Sequence, residues 1–358
     1  MTSTAQLKAR LQCLGVRLPD DDRGRRGGAG PAAGKSLIFG KTVANVPTQS
    51  VFVSESPYHI EREGDDYAIW EDERRIVHVT FPHTPAFYAK TTSDGTPMRQ
   101  VALLHGASCL ASTVCQTCVY YETPQACTFC GIELSLRLGD TIAEKTPQQL
   151  AEVARAAVDE HAVNHVTLTS GTQRGPDKGL AKLKAAARAI KDETGLPVQV
   201  QVEPLHDLSH FDDMKEWGVD SIGIHIESLD DEVLKRHAPV KARYGFSAFL
   251  KAWRRAREVL GDNQVESFIL AGLGEDVDVT TARFNEMVEA GAYPFVVALR
   301  PIPGTRLESW RPPPPDHLIE LSQRAAQAAR DGALTWKNCS SGCLRCRACS
   351  CVPDFERE

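Results

Sequence analysis

Nine of the eleven cysteines in this 358-residue chain fall into two groups. Cys115, Cys118, Cys127 and Cys130 form C-x2-C-x8-C-x2-C, and Cys339, Cys343, Cys346, Cys349 and Cys351 crowd the C-terminal end, with no cysteine between 131 and 338. In a reducing compartment, clustered thiols are metal ligands more often than disulfides. Two chemistries suit the first group. Four thiolates can close a structural zinc site, or three can hold an iron–sulfur cubane whose remaining iron stays open to a small molecule. The first is a staple and the second a reaction centre. Cys13 and Cys109 stand apart and read as ordinary thiols, one exposed and one a small buried residue.

The elements that carry the cysteines bear on that choice. "QVALLHG", "NHVTLTSG", "PVQVQVEP", "SIGIHIES", "VESFILAG" and "PFVVALRP" are apolar runs bounded by turn residues. Between them, stretches such as "TPQQLAEVARAAVDEH", "GLAKLKAAARAIKDETG" and "GFSAFLKAWRRAREVLG" repeat apolar residues at three- and four-residue spacing, the mark of helices. Six β/α units in series predict an α/β fold, a partial (β/α)6 TIM-like barrel. A small N-terminal β extension precedes it and a cysteine-rich C-terminal tail follows. The expected division is 1–36, a helix and the linker "PDDDRGRRGGAGPAAGKS"; 37–99, an antiparallel sheet built from "SLIFGKTVANV", "QSVFVSES", "YAIWED" and "RIVHVTF"; 100–310, the barrel; and 311–358, the stiff "RPPPPD", a helix and the tail. The first cysteine group then lies on the loop after the first barrel strand. In such barrels chemistry is done at that mouth.

A net charge of −6 gives no footprint for nucleic acid or an anionic membrane. No apolar run is long enough to span a bilayer, and the N-terminus lacks a secretory signal pattern. The chain is expected in the cytoplasm.

"CTFC", Cys127 to Cys130, on the loop after strand one, is similar to the cluster motif of the radical S-adenosylmethionine (SAM) superfamily, and the resemblance runs over roughly 100–305. The superfamily's common C-x3-C-x2-C spacing is absent from this loop; Cys339, Cys343 and Cys346 reproduce it, but they follow the last strand instead of the first. The resemblance implies a [4Fe–4S] cluster on Cys118, Cys127 and Cys130, with Cys115 the alternative first ligand, and SAM bound at the strand ends. "TSGT" would offer Thr169, Ser170 and Gly171 to the methionine amino group, without the acid that the family carries there. In "GIHIES", His225 and Glu227 would grip the ribose; alternate strand residues point the same way, and a carboxylate accepts well from a diol. Arg243 in "KARYGF" would hold the methionine carboxylate, to which its planar fork is suited. Gly272 and Glu275 in "FILAGLGED" would line the adenine, with Phe268 standing where the family has a glycine.

The activity so implied is reductive cleavage of SAM, with hydrogen abstraction from a small-molecule substrate and electrons from a flavodoxin- or ferredoxin-type partner. Glu203, His206 and Arg300 are candidates for the substrate side. Cys339, Cys343, Cys346 and Cys349 are the expected ligands of an auxiliary [4Fe–4S] cluster, with structural zinc as the alternative. The phrases "QTCVYYE", "TIAEKTPQQLAEVA" and the tail look like a bacterial radical SAM family of nitrilase-containing gene clusters, which implies nitrogen or nitrile metabolism. The competing function is a non-catalytic barrel stapled by two zinc ions and serving as a scaffold.

Overall fold

The computed structural model describes residues 2–19, 34–64 and 66–358. Most of the expected linker lies outside the described residues. Its end does not: Gly34–Phe39 is already the first strand, β1, and pairs antiparallel with β2, Thr42–Pro47. β3 (Tyr58–Glu63), β4 (Asp66–Glu71) and β5 (Arg74–Val79) form a separate antiparallel sheet. β3 is absent from the sequence reading because "YHIERE" spends its outer positions on charge. "QSVFVSES", expected as a strand, is instead a short 3-10 turn at Val51–Glu55 with Val51 exposed. The helix Thr4–Leu14, closed by a Ser3/Gln6 capping box, lays Leu7 and Leu11 on the apolar face of these sheets with Leu37, Val46, Ile60 and Ile69.

The barrel is a curled seven-stranded sheet in the order β12-β11-β10-β9-β8-β7-β6. Its strands are β6 (Leu103–His105), β7 (Cys109–Thr113), β8 (His165–Thr169), β9 (Val198–Val202), β10 (Val219–Ile224), β11 (Val265–Ala271) and β12 (Ala292–Ala298). From β7 to β12 all neighbours are parallel. The first parallel strand is therefore "CLAST" and not "QVALLHG", whose residues form a short helix and the antiparallel edge β6. The more apolar run looked like the strand, but it is β7 that pairs in parallel with β8.

Helices Pro147–Asp159, Leu180–Thr194 and Phe246–Leu260 cover the outside, as their apolar spacing required. Phe246–Leu260 buries Phe249, Trp253 and Ala256 on one face. Helix Pro315–Asp331 begins inside "RPPPPD", its first position being a proline whose missing N–H costs nothing there. It packs on β12 and on the N-terminal helix. The chain ends are joined by a buried ion pair, Lys8 Nζ to Asp354 at 2.7 Å. No helix among the described residues is long and apolar enough to cross a membrane.

Candidate functional site

Cys115 lies two residues beyond β7 and faces the core: it is 1% exposed. The loop that follows is stitched to the end of β8 by backbone bonds from Val114 N to Thr169 O, Gly171 N to Cys115 O and Val119 N to Thr172 O, all 2.8–2.9 Å. A Cβ on Gly171 would stand 2.1 Å from Thr117 O, so only glycine lets the loop pass this close. Thr169, Ser170 and Gly171 thus hold the cysteine loop, and the Ser170 hydroxyl bonds the Gly171 carbonyl at 2.8 Å.

Cys118, Cys127 and Cys130 converge. Burial raises the Cys127 thiol pKa first of all, and Cys130 and Cys118 are near enough to raise it further. Cys130, pushed up to about 11 by burial, also feels Cys118. Burial raises the Cys115 thiol, and the groups acting on it most strongly after that are Ser170, Lys182, Glu144 and Lys145. All three converging thiols keep accessible surface. Three soft sulfurs on a loop at the barrel mouth form a donor set that fits an iron–sulfur cluster.

Beside them lies a group missed in the sequence. Lys241, on the short helix Pro239–Tyr244, donates to Glu227 Oε1 at 2.6 Å and to the His225 carbonyl at 2.7 Å. Burial opposes its charge, but Glu227 and Cys127 outweigh that and raise its pKa. Arg243, the residue expected here, faces outward and reaches Gln125 at 2.9 Å. Residues two apart on a helix cannot share a face, so only one of this pair can look into the barrel, a choice that the motif alone does not make. Glu227 itself holds a left-handed φ of 75°, pinned on both sides by β11 through Phe268 O and Leu270 N. Such a conformation is uncommon for a non-glycine residue and is found most at functional sites.

His225 is turned inward. Its ring stacks on Phe268 at 3.9 Å, and Phe268 stacks in turn on Phe295. Nδ1 accepts from Phe268 N at 3.1 Å, which leaves the proton on Nε2, and that nitrogen has no partner among the described residues. Burial, helped by Lys241, holds the ring well below its usual pKa and hence neutral. Gly272, with φ 103°, and Glu275 close their own turn: the Glu275 carboxylate accepts from Gly272 N and Leu273 N at 2.8 Å each and meets His317 at 2.6 Å. Glu203 sits at the mouth, accepting from Thr172 at 2.6 Å and Tyr244 at 3.3 Å, with the His206 ring 5.2 Å from that of Tyr244. Arg300 lies apart from them and donates to Asn45 Oδ1 at 2.9 Å.

The C-terminal cysteines enter the barrel. Their short helix Gly342–Cys346 packs on β8 and β9. Cys343 N donates to Gln199 at 3.3 Å, Leu344 N to Glu266 at 2.6 Å, and Ser341 meets Ser221 at 2.7 Å. β2 closes over them through Asn45 N to Ala348 O. Cys339 is buried, and its thiol donates to the Ser341 carbonyl at 3.2 Å. Among the described residues no three or more His, Cys, Asp or Glu side chains are arranged to hold a single metal ion.

A family model of the radical SAM superfamily matches residues 119–284. The chain is 23% identical over 353 residues to bacteriochlorophyllide c C-7(1)-hydroxylase of Chlorobaculum limnaeum, an alignment covering 89% of this chain and 83% of that protein. Among solved structures it is similar to HydG, a maturase of the [FeFe]-hydrogenase, with a TM-score of 0.50 and 16% identity over 63% of this chain and 50% of that one. It is also similar to methylornithine synthase (PylB), with a TM-score of 0.47 and 19% identity over 61% of this chain and 62% of that one. The chain thus spans between half and two thirds of these two structures, and the likeness to HydG is one of fold. Residues 119–284, which make up most of the barrel, match the radical SAM superfamily model, and the barrel has a fold like that of HydG. The matched superfamily is one of enzymes, which favours an enzyme over the zinc-stapled scaffold.

Proposed function

We propose that Cys118, Cys127 and Cys130 hold the [4Fe–4S] cluster and that the enzyme removes hydrogen from a carbon of a small-molecule substrate at the barrel mouth. The observation that carries this reading is the convergence of these three thiols beside the Lys241–Glu227 pair. When bound, the cluster and SAM supply the 5′-deoxyadenosyl radical; the hard chemistry is theirs, and the protein binds and orients. Lys241 presents an ammonium to a carboxylate, in the role first expected of Arg243. The free lone pairs of Glu227 accept from ribose hydroxyls, and the carbonyls of Thr169 to Gly171 accept from an ammonium group. Glu203, Tyr244, Thr172 and His206 form the polar wall on which a substrate hydroxyl or amine would be held. Of the residues named from sequence, Gly272 and Glu275 shape the turn that borders the adenine.

That a hydroxylase stands among the relatives supports a C–H bond as the point of attack. The resemblance to enzymes of nitrilase-containing gene clusters supports a place in nitrogen or nitrile metabolism, and the tail supports an auxiliary iron–sulfur cluster. A flavodoxin or ferredoxin in the cytoplasm would supply electrons. The test is anaerobic reconstitution of the full chain. A brown protein that forms 5′-deoxyadenosine from SAM after dithionite reduction is expected; a colourless, zinc-loaded protein that leaves SAM intact would refute the assignment.

A further inference from the structure

We propose that the inner face of the barrel, near the N-terminal ends of its strands, carries a second metal–thiolate centre ligated by Cys109, Cys343, Cys346 and Cys349, with Cys339 and Cys351 outside it. This deepens the auxiliary-cluster reading and rests on it, but it replaces one of the expected ligands by a cysteine of strand β7, 230 residues earlier in the chain than Cys339.

Four observations converge on this set. Cys349, Cys109 and Cys346 are the thiols that lie close enough to act on Cys343, whereas the Cys339 thiol donates to the Ser341 carbonyl at 3.2 Å. Cys109 and Cys346 share one apolar cluster with Ala348, and a Cβ on Gly106 would stand 2.4 Å from the Cys346 sulfur, so glycine makes room for it. His105 lies between two of the thiols, Nδ1 3.3 Å from Cys346 and Nε2 3.4 Å from Cys349. Cys109, whose sulfur lies 3.4 Å from the Thr167 hydroxyl, is the fourth thiol at this spot.

The lining is that of a ligand site and not of a core. Gln201 donates to the Cys343 sulfur at 3.3 Å. Gln199 and Glu266, 0% and 1% exposed, are polar side chains buried at this spot, Gln199 accepting from Cys343 N at 3.3 Å and Glu266 from Leu344 N at 2.6 Å. Arg300 and Lys8 lie near Cys349 and bring positive charge toward a set of thiolates. Cys351 faces the other way, onto Ser322 at 3.1 Å. The ligand class is a thiophilic metal, either an iron–sulfur cluster or zinc. Phe268 follows Glu266 by two residues on the same inner face, so the stacked rings of His225, Phe268 and Phe295 lie one level above this centre, toward the mouth.

The experiment uses the full-length chain with Cys118, Cys127 and Cys130 all changed to Ala, so that only the second centre can load. Iron and zinc per chain are counted by mass spectrometry after anaerobic reconstitution, alongside the electron paramagnetic resonance of the reduced protein and circular dichroism for the fold. Added Cys109→Ser or Cys346→Ser should lower the bound metal at least tenfold, while Cys339→Ser or Cys351→Ser should leave it unchanged. Should Cys109→Ser fail to fold, Cys339→Ser decides: metal lost from that variant with its fold intact overturns the ligand set. That result leaves the auxiliary-site reading standing, whereas a parent chain that binds neither metal overturns both. Zinc in place of iron, lost with Cys109→Ser and kept with Cys339→Ser, supports the ligand set and overturns the auxiliary cluster.

Discussion

The cysteine loop at the barrel mouth and the cysteine tail inside the barrel are built from similar C-x2-C steps, yet different forces hold them. The loop is fixed by main-chain bonds to the neighbouring strand end, Val114 to Thr169 and Val119 to Thr172 among them, and its three converging thiols come from 13 consecutive residues. The tail is held by strand side chains, Gln199, Gln201, Ser221 and Glu266, and by His105, 241 residues away from Cys346. Where ligands are local, spacing is a good guide to which of them meet. Where the partner is a strand on the far side of the fold, spacing is silent, and an unremarked cysteine such as Cys109 can stand closer to the group than Cys339 does.

The largest effect expected from breaking this contrast is at the mouth. Cys127→Ala, Cys130→Ala or Cys118→Ala should abolish 5′-deoxyadenosine formation while circular dichroism stays that of the wild type; Cys115→Ala, buried and tied to Ser170 and Glu144, should keep substantial turnover. Activity retained in Cys118→Ala and lost in Cys115→Ala would exchange the two.

Next comes the tail. Its helix and cysteine segment bury Leu318, Leu321, Ala325, Leu344 and Val352, and each buried leucine alone contributes on the order of 2–5 kcal/mol. That sum rivals the whole stability of a domain, roughly 5–15 kcal/mol. A chain ending at Pro315 should therefore fail to fold, and a soluble, cooperatively melting product would show that the barrel stands without its tail. Separate loss of one cluster is for this reason better sought by point substitution.

A smaller effect distinguishes Lys241 from Arg243. Lys241→Met leaves the partly buried Glu227 without its cation, and Glu227→Ala removes a charge-assisted bond worth about 1.5–3 kcal/mol. Each should weaken SAM binding, measured by calorimetry on the reconstituted protein, by about ten- to a hundredfold. Arg243→Ala, exposed and bonded to Gln125, should change stability by less than about 0.5 kcal/mol and leave binding near the wild-type value. Equal losses in Lys241→Met and Arg243→Ala would restore Arg243 to the site.

The smallest effect concerns the turn beside the mouth. The bond to Glu275 raises the His317 pKa, with burial acting against it. A histidine raised on folding stabilises the fold fully below its unfolded value near 6.5, and that contribution is lost as pH rises through the raised folded value. His317→Asn should accordingly lower the melting temperature more at pH 5.5 than at pH 8.5; an equal drop at both would mean that the imidazole acts by packing alone.

From the sequence alone five of the six parallel strands, their outer helices, the placing of the cysteine loop at the mouth and the tail as a separate cysteine-bearing segment could all be read. These features are local: periodicity, turn residues and short spacings act between near neighbours in the chain. The tertiary structure decided the rest. It made "CLAST" the first barrel strand, because β7 pairs in parallel with β8 while β6 turns back along it. It turned Lys241 inward and Arg243 outward, because a short helix presents one face to the barrel. It drew the tail under the strands toward Cys109 and left Cys339 among serines, because the polar inner positions of β8 to β11, two residues apart along each strand, can be satisfied only by a segment arriving from elsewhere.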